Sequence, residues 1–380
     1  MIIRDFLRWI ETAPAQLRAE ATSALARAWL FSQMTGEDRE AAEAALTFLL
    51  DDPASEVRLA IAHAFARQPN VPEHIIASLA QDRCEIACVV LEHSPLIGEA
   101  DLVDLAAEGD EAVQCAIARR IDLGAAAAAA LAEVAPARAC EALLANETAE
   151  IVPFSLTRMA ERFAEDGKIR ALLLSREHLP LTVRHMLLKA LADGLRSRAM
   201  TLFEGPEHRA EAFLVDAEEK VTLSLVRDVA ERQVLDLVEH LRATGQLTTR
   251  LLLRAAGTGN LKLFVAAIAV LSGLPAGRAR TLLEAGRPAA IRALLRKAGL
   301  PPRSLAAFGA CIDLYRVEDP DFDRNRTAAE VRAAMEQAVR RLRGEAGEEA
   351  ADIVGLLRQF ALEAAREEAR VFVSRALAAA

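Results

Sequence analysis

The sequence predicts an all-α chain of stacked helical hairpins, and three observations carry that prediction. Apolar residues recur at the helical period almost throughout, with Pro, Gly or Asp breaking the pattern about every 10–15 residues. Hydrophobic residues make up 53% of the chain but aromatics only 4%. Much of the remainder is alanine, the best helix former and small enough for close helix packing. Runs of β-branched residues alternating with polar ones are nearly absent, so no strand is expected. At 380 residues the chain has room for two or three domains, or for one extended array.

The elements follow in order. Near the start, Ile2, Ile3, Phe6, Leu7 and Ile10 fall at helical spacing, with Arg4, Asp5 and Arg8 among them. Those charges exclude the apolar core of an export signal and suggest a helix capping the stack, with an interfacial membrane helix as the alternative. In the stretch LLDDPASEVRLAIAHAFARQPNVPEHII (49–76), Asp52 reads as an N-cap, Pro53 as the first helical residue and Glu56 as complementing the dipole. Val57, Ala60, Ile61, Ala64 and Phe65 form the buried stripe; Pro69 stops the helix and Pro72 starts the next. Asp82 then caps RCEIACVVLEHS, with Ile86, Val89 and Val90 facing inward, and the pattern recurs in EAVQCAIARRIDLG. Taking Val57, Ile86 and Val113 as equivalent gives steps of 29 and 27 residues, one hairpin each. The alanine run at 125–130 reads as helix, and 179–195 as a further hairpin. Residues 196–219, with Gly205-Pro206, break the rhythm. Beyond them, 246–302 read as four short helices with Gly-containing turns between them, and 347–380 as one long terminal helix. The expected organisation is an acidic repeat array at 1–195, an irregular junction at 196–220, a basic hairpin array at 221–346 and a capping helix at 347–380.

The Asp-Pro turn followed by Val57-Arg58 resembles the HEAT-repeat motif, which implies a HEAT-like α-solenoid. In that motif Arg58 would bridge acids such as Asp51 or Asp52 in its own or an adjacent turn. Later units keep the caps and apolar stripe but lose the Pro and the Arg. The block from Leu251 to Pro302, with LLLRAAGTGNLKLFVAAIAVLSGLP and IRALLRKAGLP, resembles an alphaproteobacterial family of cytosolic proteins known only as a conserved domain of unknown function. The resemblance implies a helical-repeat fold and carries no activity with it.

Charge is distributed unevenly. Residues 1–150 hold 11 Lys and Arg against 25 Asp and Glu, whereas 241–303 hold 11 basic residues and one acid, Glu284. The positives are mostly arginine, which grips carboxylate or phosphate bidentately. Arg250 with Arg254, and Arg292 with Arg296, stand four apart and are expected opposite the apolar faces of their helices. With Lys262, Arg278, Arg280, Arg287 and Lys297 they form the candidate partner-binding set. The expected occupant is a protein with an acidic surface. The alternative is a nucleic acid or phosphorylated ligand on the same face, against which stand the net charge of −9 and a segment whose sole ring is Phe264.

No catalytic constellation emerges. The seven histidines form no His-Glu-x-x-His pattern, Gly257-Thr-Gly-Asn lacks the context of a phosphate loop, and no Gly-x-Ser-x-Gly elbow is present. The acids of 318–326 lack the central glycine of a calcium loop. His63 reads as a packed or edge histidine. Cys84 and Cys88 share a helix face but read as small buried residues rather than a metal half-site. Five cysteines without an export signal suggest a reducing cytoplasm. The expectation is a non-enzymatic cytosolic scaffold or adaptor with no cofactor, no metal and no membrane span.

Overall fold

A computed structural model describes residues 6, 8–202, 207–226, 229–318, 322, 324–345 and 351–378, and every regular element among them is helical. Most of the expected N-terminal helix, the Gly205-Pro206 break and most of the acidic run at 318–323 lie outside the described residues. The chain divides into two compact units, Met1–Leu179 and Pro180–Ala380. The division falls ahead of the 196–220 junction. Of residues 179–195, expected as a hairpin, 181–195 belong instead to one helix, Leu181–Leu202, which runs through Gly194 without a break.

The first unit holds α1 (Ala15–Phe31), α2 (Gly36–Phe48), α3 (Ser55–Phe65), α4 (Glu73–Ala80), α5 (Cys84–His93), α6 (Glu99–Glu108), α7 (Glu111–Ala118), α8 (Ala125–Val134), α9 (Ala137–Ala145), α10 (Pro153–Phe163) and α11 (Gly167–Leu174). The helices α1, α3, α5, α7, α9 and α11 each pack on the next in that row, while α6, α8 and α10 make a second row. Val57, Ile61 and Phe65 of α3 are fully buried with Trp29, Leu46, Ile75, Ile86 and Val90. Alanine permits the close approach: Ala127 and Ala128 of α8 and Ala139 of α9 are completely covered.

The loop aspartates depart from the expected capping. Helix α3 starts at Ser55 with Ala54 as its N-cap, so neither Asp52 nor Pro53 holds the position predicted for it. The reason is that Arg18 of α1 grips both Asp52 oxygens, at 2.8 and 2.7 Å, and the carboxylate otherwise accepts only the Ala54 N–H. Arg58 repeats the arrangement one hairpin on. It grips Asp82 at 2.6 and 3.0 Å and donates to the Asp52 carbonyl at 2.5 Å, so its acid is Asp82, with Asp52 contributing only main chain. At the next turn no arginine follows Ile86, and there Asp110 caps α7 through the N–H groups of Ala112 and Val113. An aspartate here thus serves either the helix or the inter-hairpin arginine.

Farther along, the odd-numbered row is tied by side chains that cover the C-terminal carbonyls of the preceding row member. Arg120 donates to the carbonyls of Leu91 and, at 2.6 Å, Ser94. Asn146 donates to those of Ala118 and Arg120, and Arg176 to that of Leu144. Arg162 does the same in the other row, at 2.7 Å to both Ala132 and Ala135. Each tie satisfies carbonyls a helix cannot pair internally, and the arginine ties also place a cation at the negative end of a dipole.

The second unit comprises α12 (Leu181–Leu202), α13 (Glu207–Ser224), α14 (Glu231–Ala243), α15 (Thr249–Gly257), α16 (Leu261–Ser272), α17 (Ala276–Ala285), α18 (Pro288–Lys297), α19 (Leu305–Glu318), α20 (Ala328–Glu345) and α21 (Ala351–Ala378). The four short helices of 246–302 and the long terminal helix are those expected. Their packing differs from a row of hairpins. The α15–α16 pair is central: α15 packs on α13, α16, α19, α20 and α21, and α16 on α14, α15, α17 and α18. Thr248 and Asn260 cap the two helices. Between them Gly259 adopts φ +75°, where a Cβ would come within 2.6 Å of Arg326 Cγ. Tyr315 of α19 donates to the Gly257 carbonyl at 2.6 Å inside the core. No single described helix is long and apolar enough to cross a membrane. Helices α16 and α17 reach that length only together, bent by 117°, and α16 is buried along nearly its whole length.

Candidate partner-binding face

The structure separates the arginine-rich segment into residues that turn inward and residues that remain open. Arg254, expected on an exposed stripe, is fully buried at 1%. Its guanidinium meets Glu219 and Asp216 of α13, each at 2.6 Å, and Glu363 of α21 at 2.7 Å. The ring of Phe360 lies 4.3 Å beneath it. Arg250 shares Asp216 and approaches Glu219 at 3.5 Å, Lys220 pairs with Glu363 at 3.0 Å, and Gln359 bonds Asp216 and Glu363. Three cations thus meet three carboxylates in a closed, neutral cluster joining α13, α15 and α21. Burial pushes the Glu219 carboxyl up despite Arg254. Burial also opposes ionisation of Glu363, but hydrogen bonds from Lys220 and Arg254 outweigh it and hold that carboxyl low.

Lys262 turns inward as well, donating to the Val229 carbonyl. Arg280 pairs with Glu284, the segment's one acid, at 3.5 Å. The expected stripe from Arg250 through Lys262 therefore does not reach the surface as a continuous face. Carboxylates from outside the segment draw in Arg250 and Arg254, and a main-chain carbonyl takes Lys262.

What remains is a smaller face on α17, α18 and the short 3₁₀ turn Pro302–Ser304. Arg278, Arg287, Arg292, Arg296 and Lys297 are exposed, and so is Arg303, which was not among the expected site residues although it closes the same basic run. None of the six makes an ion pair or a side-chain hydrogen bond among the described residues. The local sequence explains the exposure. On α18, Ile291, Leu294 and Leu295 point into the core, which leaves Arg292 and Arg296 one turn apart on the opposite face. Phe264 is completely buried, so it offers no ring to stack on a base.

The first unit carries a groove of about 290 Å³ between α3 and α5, lined by His63, Arg67, Cys88, Glu92 and His93. His63 is exposed at its rim. Arg67 donates to His93 Nε2 at 3.1 Å, which places the neutral ring's proton on Nδ1. Cys84 and Cys88 are half-buried with sulfurs 3.4 Å apart. Burial, then the neighbouring Cys84, pushes the Cys88 thiol up to about 12, which removes it as a nucleophile at neutral pH. Among the described residues no three His, Cys, Asp or Glu side chains form a group able to hold a metal ion.

A family model described as an uncharacterised protein conserved in bacteria matches residues 86–349, well over half of the chain. No curated protein and no solved structure matches it.

Proposed function

The chain belongs to this uncharacterised bacterial family, DUF2336, and from that premise we propose that it is a non-enzymatic helical-repeat adaptor whose α17–α18 face binds a protein with an acidic surface. The observation that carries the reading is the set of six exposed cations with no ion pair among the described residues, in a segment whose Arg250 and Arg254 are neutralised by carboxylates. Focused positive potential draws anionic surfaces and speeds encounter. A guanidinium can grip both oxygens of a carboxylate at once. For the first unit, the row of packed alternate helices from α1 to α11 and the second row from α6 to α10, with side-chain ties between successive row members, support the HEAT-like solenoid reading. Repeat stacks of this kind offer extended surfaces suited to macromolecular partners.

The test uses a labelled oligoglutamate peptide and a short DNA duplex, titrated by anisotropy against the wild type and Arg292→Glu/Arg296→Glu/Lys297→Glu. The reading expects peptide binding that weakens with salt and is lost in the variant. Equal peptide binding by both proteins would refute it. Tighter, steeply salt-dependent binding of the duplex would favour the nucleic-acid alternative instead.

A further inference from the structure

Two exposed helix faces of this chain, one in each unit, have opposite charge. Helix α6 carries Asp101, Asp104 and Glu108 at i, i+3 and i+7, all exposed, while Leu102 and Ala106 face the core. The helix has no basic residue, and none of the three acids makes an ion pair or a side-chain hydrogen bond among the described residues. Glu108 is the last residue of α6, where the helix dipole places negative charge and a cation is favoured. On α18 the charges are reversed: Arg287 is the N-cap, at the dipole's positive end, and Arg292, Arg296 and Lys297 follow on the open side. Each face thus holds a charge at the unfavourable end of its own helix, and the opposite face would relieve it. The lengths agree as well. At 1.5 Å per residue, Asp101 to Glu108 spans about 10 Å and Arg292 to Lys297 about 8 Å.

We propose that the acidic ridge of α6 in one copy docks on the α17–α18 face of a second copy, so that the chain associates head to tail. This rests on the adaptor reading above and names the acidic surface as the chain's own. Because the two patches differ, the contact is heterologous, and each copy keeps one free patch for the next; short chains or a closed ring follow. The net charge of −9 opposes association at long range. The local match acts within a Debye length of about 8 Å at physiological salt, so the contact is weak and salt-sensitive.

Analytical ultracentrifugation of the full chain tests this, with Asp101→Lys/Asp104→Lys/Glu108→Lys, with Arg292→Glu/Arg296→Glu/Lys297→Glu, and with the two sets combined. The expected result is a mass-average at least about twice the monomer for the wild type at low salt, falling to monomer near 0.5 M salt, where the Debye length is only a few ångström. Each single set should be monomeric, a one-to-one mixture of the two should assemble again because the native contact and its charge-reversed counterpart both form between unlike copies, and the combined reversal should restore assembly. A wild type that stays monomeric at low salt overturns the proposal without reference to any variant. So does assembly that the α6 reversal leaves unchanged. The oligoglutamate titration tells the two failures apart: retained peptide binding with a monomeric chain leaves the adaptor reading standing, and loss of both removes it.

Discussion

Replacing Arg254 by methionine removes the one cation that is fully buried among the described residues of the second unit, while keeping much of its volume. The substitution leaves Asp216, Glu219 and Glu363 facing Arg250 and Lys220, both of which are more exposed than the residue lost. Breaking a buried pair by removing one member costs about 3–5 kcal/mol, and the contact with Phe360 adds roughly 1 kcal/mol. About 4 kcal/mol is expected at pH 8, a large share of a typical domain's stability of roughly 5–15 kcal/mol. The cost should shrink in acid. Burial already pushes the Glu219 carboxyl up, and Arg254 is the group that draws it down. Without Arg254 the folded protein binds a proton more tightly than the unfolded chain, so stability rises as pH falls through the elevated folded value. Each unit by which that value exceeds the assay pH recovers about 1.4 kcal/mol. Segment-resolved hydrogen exchange in urea, at pH 8 and at a mildly acidic pH, measures the second unit by itself. Trp9 and Trp29, the chain's two tryptophans, lie in the first unit, and their fluorescence transition should not move. A loss under about 1 kcal/mol at pH 8, or an equal loss at both pH values, would refute the argument. Adding Asp216→Asn, Glu219→Gln and Glu363→Gln should recover most of the stability, because the stranded charges rather than the missing contact make up most of the cost.

Three further outcomes are expected. Arg120→Met uncovers the Leu91 and Ser94 carbonyls and should cost the first unit about 2 kcal/mol, read from the tryptophan urea transition; no shift in midpoint would show that solvent replaces the tie. Asp82→Asn should destabilise the first unit by about 1–2 kcal/mol at neutral pH. That difference should vanish in strong acid, because burial opposes ionisation of Asp82 but the Arg58 hydrogen bond holds its pKa below the ordinary value, so the stability is present above that value and lost as pH falls through the folded one. Burial, then the charges of His240 and Lys189, pushes His185 down to about 4. The unfolded chain therefore takes up the proton first, and the second unit should lose up to about 3 kcal/mol between pH 6.5 and 4. His185→Leu should flatten that slope in hydrogen exchange, and a slope unchanged from wild type would assign it elsewhere.

Local chemistry was legible from sequence because it depends on near neighbours. The apolar period placed Val57, Ile61 and Phe65 in the core, the glycine turns divided 246–302 into its four helices, and α18's apolar residues predicted the exposure of Arg292 and Arg296. A period cannot report which distant group competes for a side chain. Asp52 and Asp82 look like caps in sequence, yet of the three turn aspartates only Asp110 caps a helix through its own side chain, because Arg18 and Arg58 reach across hairpins to take the other two.

The same limit applied to the candidate site. From sequence, Arg250 with Arg254 and Arg292 with Arg296 are equivalent pairs, each four residues apart in a basic segment. What distinguishes them lies elsewhere in the chain: Asp216 and Glu219 on α13, and Glu363 109 residues beyond Arg254, converge on the first pair. Among the described residues no carboxylate pairs with the second. The sequence by itself determined helical class, element order and the supply of positive charge. Tertiary structure decided which of those charges were neutralised in the core and which stayed in water, since burying an ion requires its counter-ions to arrive with it, and only the fold brings them together.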